Sequence, residues 1–354
     1  MRRKLTNYKE GRWRRIGRLA ILLLLAYSPA RSQDVHFSQF FEAPLWRNPS
    51  LAGIFNGDIR FQGVYRTQWG AVTVPYQTGS FNGEFKMPIG GANDFLTIGG
   101  QIVYDRAGTT RFTTTHILPT VNYHKALSGE KNSYLSLGFM GGMVQRSIDR
   151  SKITTASQFD GSGYNPFLDI NEDVANYNLT YGDASVGMSF NSQIGESEYD
   201  NFFVGAAYHH FNRPLNSFYR NPNIELEPKW VYSLGVRMGL TPNTYLDIQA
   251  DYSTQATYTE VLAGAMVGFG LNGYDFTESA YNIHFGAFTR WGDAIIPVVK
   301  IDFEPFSAAF SYDINYSQLR TASQGRGGFE FSLSYKGFFD RSNSTQNAIH
   351  CPRF

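Results

Sequence analysis

Gln77-Thr-Gly-Ser-Phe-Asn-Gly-Glu-Phe-Lys-Met87 alternates with a period of two. Thr78, Ser80, Asn82, Glu84 and Lys86 fall on one face, and Gly79, Phe81, Gly83, Phe85 and Met87 on the other. Successive side chains of a strand point to opposite sides, so this is a strand with one polar and one apolar face. In residues 94–105, Leu96, Ile98, Ile102 and Tyr104 oppose Thr97, Gly99, Gln101 and Asp105. Near the end, Phe329, Phe331, Leu333 and Tyr335 oppose Glu330, Ser332, Ser334 and Lys336.

Segments of this kind recur at 58–69, 76–88, 94–105, 110–125, 133–148, 177–194, 201–213, 229–240, 244–256, 258–271, 278–291, 294–304, 306–317 and 327–336. Fourteen is an even number, and most segments approach the ~9–11 residues that a tilted strand needs to cross a bilayer. The fold class they predict is all-β, a transmembrane antiparallel β-barrel of about 14 strands. In lipid only a closed barrel satisfies every backbone group of a sheet. A secreted sandwich or propeller would instead carry charged outer faces, whereas the polar faces here are mostly Ser, Thr, Asn and Gly.

Composition narrows the alternatives. The 354 residues are 42% hydrophobic, 16% aromatic and 17% charged, against roughly 25% charged in ordinary soluble domains. The aromatic content excludes a disordered chain, and the single cysteine, Cys351, excludes a disulfide scaffold. After residue 32 no apolar run approaches the ~20 residues of a spanning helix.

Residues 1–32 have the pattern of a secretory signal peptide. Arg2, Arg3, Lys4, Lys9, Arg12, Arg14, Arg15 and Arg18 precede the short apolar core Leu19–Ala26, and Ala30 and Ser32 offer small residues before a cleavage point. The chain is thus expected to leave the cytoplasm and to start, once processed, at Gln33. Beyond residue 32 there are 22 basic and 29 acidic residues, a net charge of −7, which argues against nucleic acid as a partner. The expected organisation is a signal peptide at 1–32, a periplasmic or barrel-plugging segment at 33–57, the barrel at 58–336 and a periplasmic tail at 337–354. The segment 33–57 lacks strand periodicity but holds Phe37, Phe40, Phe41, Leu45 and Trp46, too much apolar surface to leave in water.

Signals for catalysis are weak. His209 and His210 are adjacent, so on a strand they point apart and do not share a metal. Asp169-Ile-Asn-Glu-Asp173 opens like a calcium loop, but Val174 and Thr180 stand where Gly and Glu are needed. No nucleophile elbow or phosphate-binding glycine pattern is present. No enzyme activity, cofactor or metal is expected. Arg60, Arg66, Asp105, Arg237, Asp247, Asp251, Asp302 and Asp313 are charges within strands. A charge facing lipid at the midplane costs about 2–4 kcal/mol, so they are expected to face the lumen and to pair there.

The stretch Gln33-Asp-Val-His-Phe-Ser-Gln-Phe-Phe-Glu-Ala-Pro-Leu-Trp-Arg-Asn-Pro-Ser-Leu-Ala-Gly53 resembles the mature N-terminus of the PorP/SprF family of type IX secretion membrane proteins, with its F-S-Q, N-P and A-G elements. Phe40-Phe41-Glu42 departs from the Tyr-Met or similar pair expected after F-S-Q. The resemblance continues at Tyr65-Arg-Thr-Gln-Trp69, Asp105-Arg-Ala-Gly108, Ile148-Asp-Arg-Ser-Lys152, Gln158-Phe-Asp160 and His210-Phe-Asn-Arg-Pro214. It ends with Ser311-Tyr-Asp-Ile-Asn315, Gly325-Arg-Gly-Gly-Phe-Glu330 and Cys351-Pro-Arg-Phe354.

The resemblance implies an outer-membrane barrel of Bacteroidota, serving type IX secretion and, in gliding species, surface adhesins. The partners it implies are a secreted or surface-anchored client protein and a periplasmic peptidoglycan-binding lipoprotein, besides outer-membrane lipid. No catalytic residue is carried over. The positions that match the motifs, and are candidates for partner binding, are Phe37, Ser38, Gln39, Asn48, Pro49, Tyr65, Arg66, Trp69, Asp105, Gly108, His210, Arg213, Pro214, Asp313, Cys351, Pro352, Arg353 and Phe354. Among them Tyr65 and Trp69 suit a membrane interface, and Arg66 and Asp105 suit a pair in the lumen. The function expected is docking or anchoring of a secreted protein; the alternative is a passive channel or small-solute transporter. With both chain ends periplasmic, the long connections 149–176 and 212–228 follow odd-numbered strands and would be extracellular.

Overall fold

The computed structural model describes residues 34–70, 74–90, 93–128, 132–171, 177–195, 200–271, 281–317 and 320–339. The signal sequence expected at 1–32 and the tail element Cys351–Phe354 lie outside them. Fourteen strands form one closed barrel in which each pairs antiparallel with its chain neighbours. They are β1 (Ile59–Gln68), β2 (Tyr76–Ile89), β3 (Asp94–Ala107), β4 (Phe112–Ser128), β5 (Ser133–Ser147), β6 (Asn178–Gln193), β7 (Asn201–His209), β8 (Lys229–Thr241), β9 (Thr244–Gln255), β10 (Tyr258–Gly270), β11 (Tyr281–Arg290), β12 (Ala294–Phe303), β13 (Phe306–Asn315) and β14 (Arg326–Gly337). The seam is complete: β1 pairs with β14 over its whole length, from Ile59↔Gly337 to Gln68↔Gly328. β1 begins and β14 finishes at one end, here the terminal end. The connections β1–β2, β3–β4, β5–β6, β7–β8, β9–β10, β11–β12 and β13–β14 lie at the opposite, far end.

The two faces of the wall are inverted relative to a soluble protein. On β1, Arg60, Gln62 and Arg66 are buried while Phe61 and Tyr65 are exposed; on β14, Glu330, Ser332 and Ser334 are buried while Phe329, Phe331 and Leu333 are exposed. Phe81, Ile98, Ile102, Ile117, Val121, Leu137 and Phe139 extend the exposed apolar surface around β2–β5. An apolar belt of this extent is incompatible with water and fits hydrocarbon. The Tyr208 and Trp230 rings, stacked at 4.4 Å between centroids, sit toward the far end of the outer face, where a membrane interface favours them.

The end of β7 differs from the expectation. β7 stops at His209 rather than running to residue 213. His210 turns to φ 56° and Arg213 to φ 43°. Beyond that point β6 is served instead by the Asn212 carboxamide, which accepts from the Ala184 N–H at 3.1 Å and donates to the Gly182 carbonyl at 2.8 Å. β11 begins at Tyr281, and residues 278–280 of its expected span lie outside the described ones.

Candidate functional site

Residues 35–57 lie inside the barrel. Their partners are on β1 and β14, on β4 to β6 and on β8, β9 and β12, and one short segment reaches all of these inner faces only from the lumen. Three of the family-like elements in the segment each make a different attachment.

The first is Phe37-Ser38-Gln39, near the far end. Phe37 packs with Ala43 and Val64. The Glu330 carboxylate accepts the backbone N–H groups of Ser38 at 2.5 Å and Gln39 at 2.7 Å. The Ser38 hydroxyl donates to Asp313 at 2.7 Å and accepts from Arg66 and from Arg290, the latter at 2.6 Å. Gln39 donates to Ser311 and to the Glu330 carbonyl, both at 3.0 Å. Arg66 pairs with Glu330 and, at 2.9 Å, with Asp313, which Arg290 also reaches at 3.2 Å. Two cations and two carboxylates thus close on one serine, and Arg290 also pairs with Asp293 at 3.0 Å and Glu260 at 3.6 Å, so each buried cation has counter-charges.

The middle of the segment is held by Glu42 and Arg47. Glu42 accepts from Gln62 and, at 2.6 Å, from Lys300. Arg47 donates to Asp251 at 2.6 Å, Gln249 at 2.8 Å and Ser233 at 3.1 Å, with the rings of Phe40 and Phe203 at 4.8 and 5.0 Å. Phe41 stacks on Phe288 at 5.1 Å, above a patch that includes Met266 and Ile296.

Asn48-Pro49 is the second element. Asn48 caps the short turn Pro49–Leu51 by accepting the Ser50 N–H at 2.9 Å. The wall opposite is glycine for a steric reason. A Cβ on Gly138 would lie 2.4 Å from the Pro49 carbonyl carbon, and one on Gly187 would lie 1.9 Å from Asn48 Oδ1. Gly138→Val is therefore expected to expel this turn, with the barrel showing a lower unfolding temperature and new protease cleavage between residues 44 and 56.

Ala52-Gly53 forms the third. Asn122 donates to the carbonyls of Ser50 and Ala52 at 2.6 and 2.7 Å, and Glu84 accepts the Gly53 N–H at 2.8 Å while paired with Arg60. Gly53 has φ 80°, and a Cβ there would sit 2.0 Å from Thr97 Oγ1, so only glycine fits. The Lys86 ammonium then donates to the Phe55 carbonyl at 2.6 Å, and Asp58 opens β1 with its N–H on the Gly337 carbonyl.

The segment therefore runs the length of the lumen. Its described start is at the far end, where His36 lies 3.6 Å from Glu260, whereas β14 finishes at the terminal end. The reason is that F-S-Q finds its counter-charges on the far halves of β1, β11, β13 and β14.

The remaining candidates separate into groups. Arg66 and Asp105 are not partners: they share a row across β1, β2 and β3, but Thr78 stands between them and donates to Asp105 at 2.7 Å. Tyr65 is exposed on the outer face, 6.3 Å from Phe329, and Trp69 ends β1 against Tyr76 at 4.7 Å. Gly108 takes φ 67° in the β3–β4 turn. His210 is buried and bonds Asp183 at 2.8 Å, Pro214 is buried, and Arg213 is exposed at the far end. Charged residues outside the candidate set do much of the holding: Glu330, Arg290, Glu42, Arg47, Glu84 and Lys300. Glu330 was visible within the quoted Gly325–Glu330 element; Arg290 had no local signal. Among the described residues no cluster of His, Cys, Asp and Glu could hold a metal ion.

Outside the wall, residues 148–171 and the connection 210–228 project at the far end. Asp160 accepts from the Ser162 hydroxyl at 2.7 Å and from the N–H groups of Ser162 and Gly163 at 3.0 and 3.2 Å. The Ser162 bonds first, then that of Gly163, hold the carboxyl down to about 2. A depressed value stabilises the turn above the ordinary 3.8 and the contribution is lost as pH falls through about 2. Hydrogen exchange, corrected for intrinsic rates, should show the Ser162 and Gly163 amides protected at pH 4 and unprotected below about 2.

A closed antiparallel wall with an apolar outer belt and a polar, charge-paired interior defines an outer-membrane β-barrel. Residues 30–335 match the family described as Type IX secretion system membrane protein PorP/SprF, and the chain belongs to it. No curated protein matches the chain. Solved barrels that resemble it include the translocator domain of autotransporter NalP from Neisseria meningitidis, at 10% identity over 79% of this chain and 88% of that one, TM-score 0.38. A FadL homologue from Pseudomonas aeruginosa has 9% identity over 83% and 94%, TM-score 0.39. The CymD monoaromatic hydrocarbon channel has 8% identity over 83% and 92%, TM-score 0.44.

Proposed function

We propose that this barrel is a non-catalytic docking component of type IX secretion, holding a secreted or surface-anchored protein at the far end and a periplasmic peptidoglycan-binding lipoprotein at the terminal end. In this reading the terminal end faces the periplasm, so the connections 148–177 and 210–228 are extracellular. The observation that carries it is the occupied lumen. Residues 35–57 are tied to the wall by buried ion pairs along its length, which favours a scaffold over a conduit. Surface for a client is present at the far end, where Phe159, Tyr164, Phe167, Leu215 and Tyr219 are exposed on the two long connections, Phe167 at 95%. Exposed rings at a rim are the anchors that protein interfaces use.

The test is a mild-detergent pull-down of the tagged barrel from a native secreting host, run beside a variant with Phe159, Tyr164 and Phe167 all changed to Ser. A large secreted protein recovered with the native barrel and lost from the variant supports docking. A barrel that elutes alone and conducts ions in a planar bilayer overturns it in favour of a passive channel.

A further inference from the structure

The outer face of the wall changes character where it leaves the apolar belt at the far end of β3 to β5. Along β3 the outward residues read Ile98, Ile102, Tyr104 and then Arg106, the first three exposed. That is the order of hydrocarbon, interface and headgroup layer. Arg106 stands in one outward row with Gln77 of β2, Thr113 of β4 and Ser147 of β5, all polar. Continuing the register of β4 and β5 by two residues sets Arg111 opposite Asp149, and the Asp149 N–H reaches the Thr110 carbonyl at 3.1 Å. The Ser151 hydroxyl first, then the Ser151 N–H and the nearby Arg111 and Lys152, hold the Asp149 carboxyl below its ordinary value. The end of β3, the β3–β4 turn and the chain after β5 thus each bring a cation to one arc of the rim.

Charge on this arc is one-sided. Residues 104–113 and 145–152 hold five cations and two acids. Of these, Arg146 turns inward to Asn216 and Asp105 inward to Thr78. Arg106, Arg111, Arg150 and Lys152 remain, against Asp149 alone. Arg111, Arg150 and Lys152 are exposed, and none of the four makes an ion pair among the described residues. The opposite side of the rim presents rings instead, with Trp230 stacked on Tyr208 and Trp291 77% exposed after β11. Cations spread over three neighbouring strands span roughly 10 Å, wider than a single phosphate covers.

We propose that this arc binds the headgroup of a membrane lipid carrying more than one phosphate. Arg106, Arg111 and Lys152 contact phosphate oxygens, and the acyl chains lie on the outward apolar residues of β3 to β5. A lipid is favoured over an acidic protein because Arg106 follows Tyr104 on the surface that faces hydrocarbon, so the site is continuous with the lipid belt. The site rests on the outer-membrane location and not on the docking role.

The test is native mass spectrometry of the full barrel, delipidated in detergent and titrated with diphosphoryl lipid A. Phosphatidylcholine, whose headgroup is neutral overall, is the control lipid. Lipid A is expected to stay bound to the native barrel, and Arg106→Gln/Arg111→Gln/Lys152→Gln to bind it about tenfold or more weaker. Arg320→Gln/Arg326→Gln, at two exposed cations elsewhere on the far rim, should bind it as the native protein does. Heat-modifiable gel mobility establishes that each variant is folded, and the three single variants stand in for the triple if it is not. The proposal is overturned if phosphatidylcholine binds the native barrel as tightly, if the folded triple variant keeps its lipid A, or if the Arg320/Arg326 variant loses as much. A triple variant that keeps lipid A but loses the secreted protein in the pull-down above also overturns it, and makes the arc a protein surface.

Discussion

Arg66→Met is expected to destabilise the barrel by about 3–5 kcal/mol, the range found when one partner of a buried ion pair is removed. Arg66 lies between Glu330 and Asp313 and also donates to Ser38 and Gln68. Without it, Glu330 loses the cation it pairs with, and Asp313 keeps Arg290 alone, which is also shared with Asp293 and Glu260. Urea unfolding followed by gel mobility reads the loss. The double variant Arg66→Met/Glu330→Met separates two explanations. If charge imbalance dominates, removing Glu330 as well should recover part of the stability, because a buried pair replaced by apolar groups is often near neutral. Recovery should be incomplete, since Glu330 also accepts the Ser38 and Gln39 N–H groups. A single variant as stable as the native barrel would show that this cluster does not hold the segment.

Deletion of residues 34–57 is expected to turn a closed barrel into a conducting one. Barrels of about eight strands fill their interior with wall side chains alone, whereas those of 16–18 leave an aqueous channel. Fourteen strands lie between these limits, and here the interior is occupied by Phe40, Phe41, Leu45, Leu51 and Phe55 in addition to wall residues. Taking them out leaves a lumen lined by Arg66, Glu330, Arg47's former partner Asp251, Glu84 and Lys300. Single-channel conductance should rise by about tenfold or more over the native protein, whose lumen is occupied. A deletion variant that shows folded, heat-modifiable mobility yet carries no more current than the native barrel would mean that something other than this segment closes the lumen. Arg66→Met should give an intermediate result, with brief openings, because only the Phe37–Gln39 attachment is weakened.

How much of this was legible beforehand differs from element to element. The strands were legible because the period of two is a local property: each residue faces lipid or lumen according to its parity, and Thr78 through Lys86 record that directly. Strand ends were less so. β7 stops at His209 because the Asn212 side chain substitutes for the ladder, an event between residues about 30 apart in sequence. The Arg66–Asp105 pairing failed for a geometric reason, since the row that joins them contains Thr78.

The amino-acid sequence by itself determined that this chain closes as a fourteen-stranded outer-membrane barrel with its charges turned inward. That follows from the cost of charge and of unpaired backbone in hydrocarbon, which acts on each residue alone. It also marked F-S-Q, N-P and A-G as distinctive. Only the tertiary structure decided what those elements touch. Ser38 and Gln39 meet Glu330 and Asp313 across more than 270 residues of chain, Asn48-Pro49 sits against Gly138 and Gly187, and Gly53 fits beside Thr97. These contacts depend on closure of the β1–β14 seam and on the register of every strand between. The gathering of Arg106, Arg111 and Lys152 on one arc of the rim is set by the same register, because a patch is defined by which strands stand side by side and no run of residues encodes it.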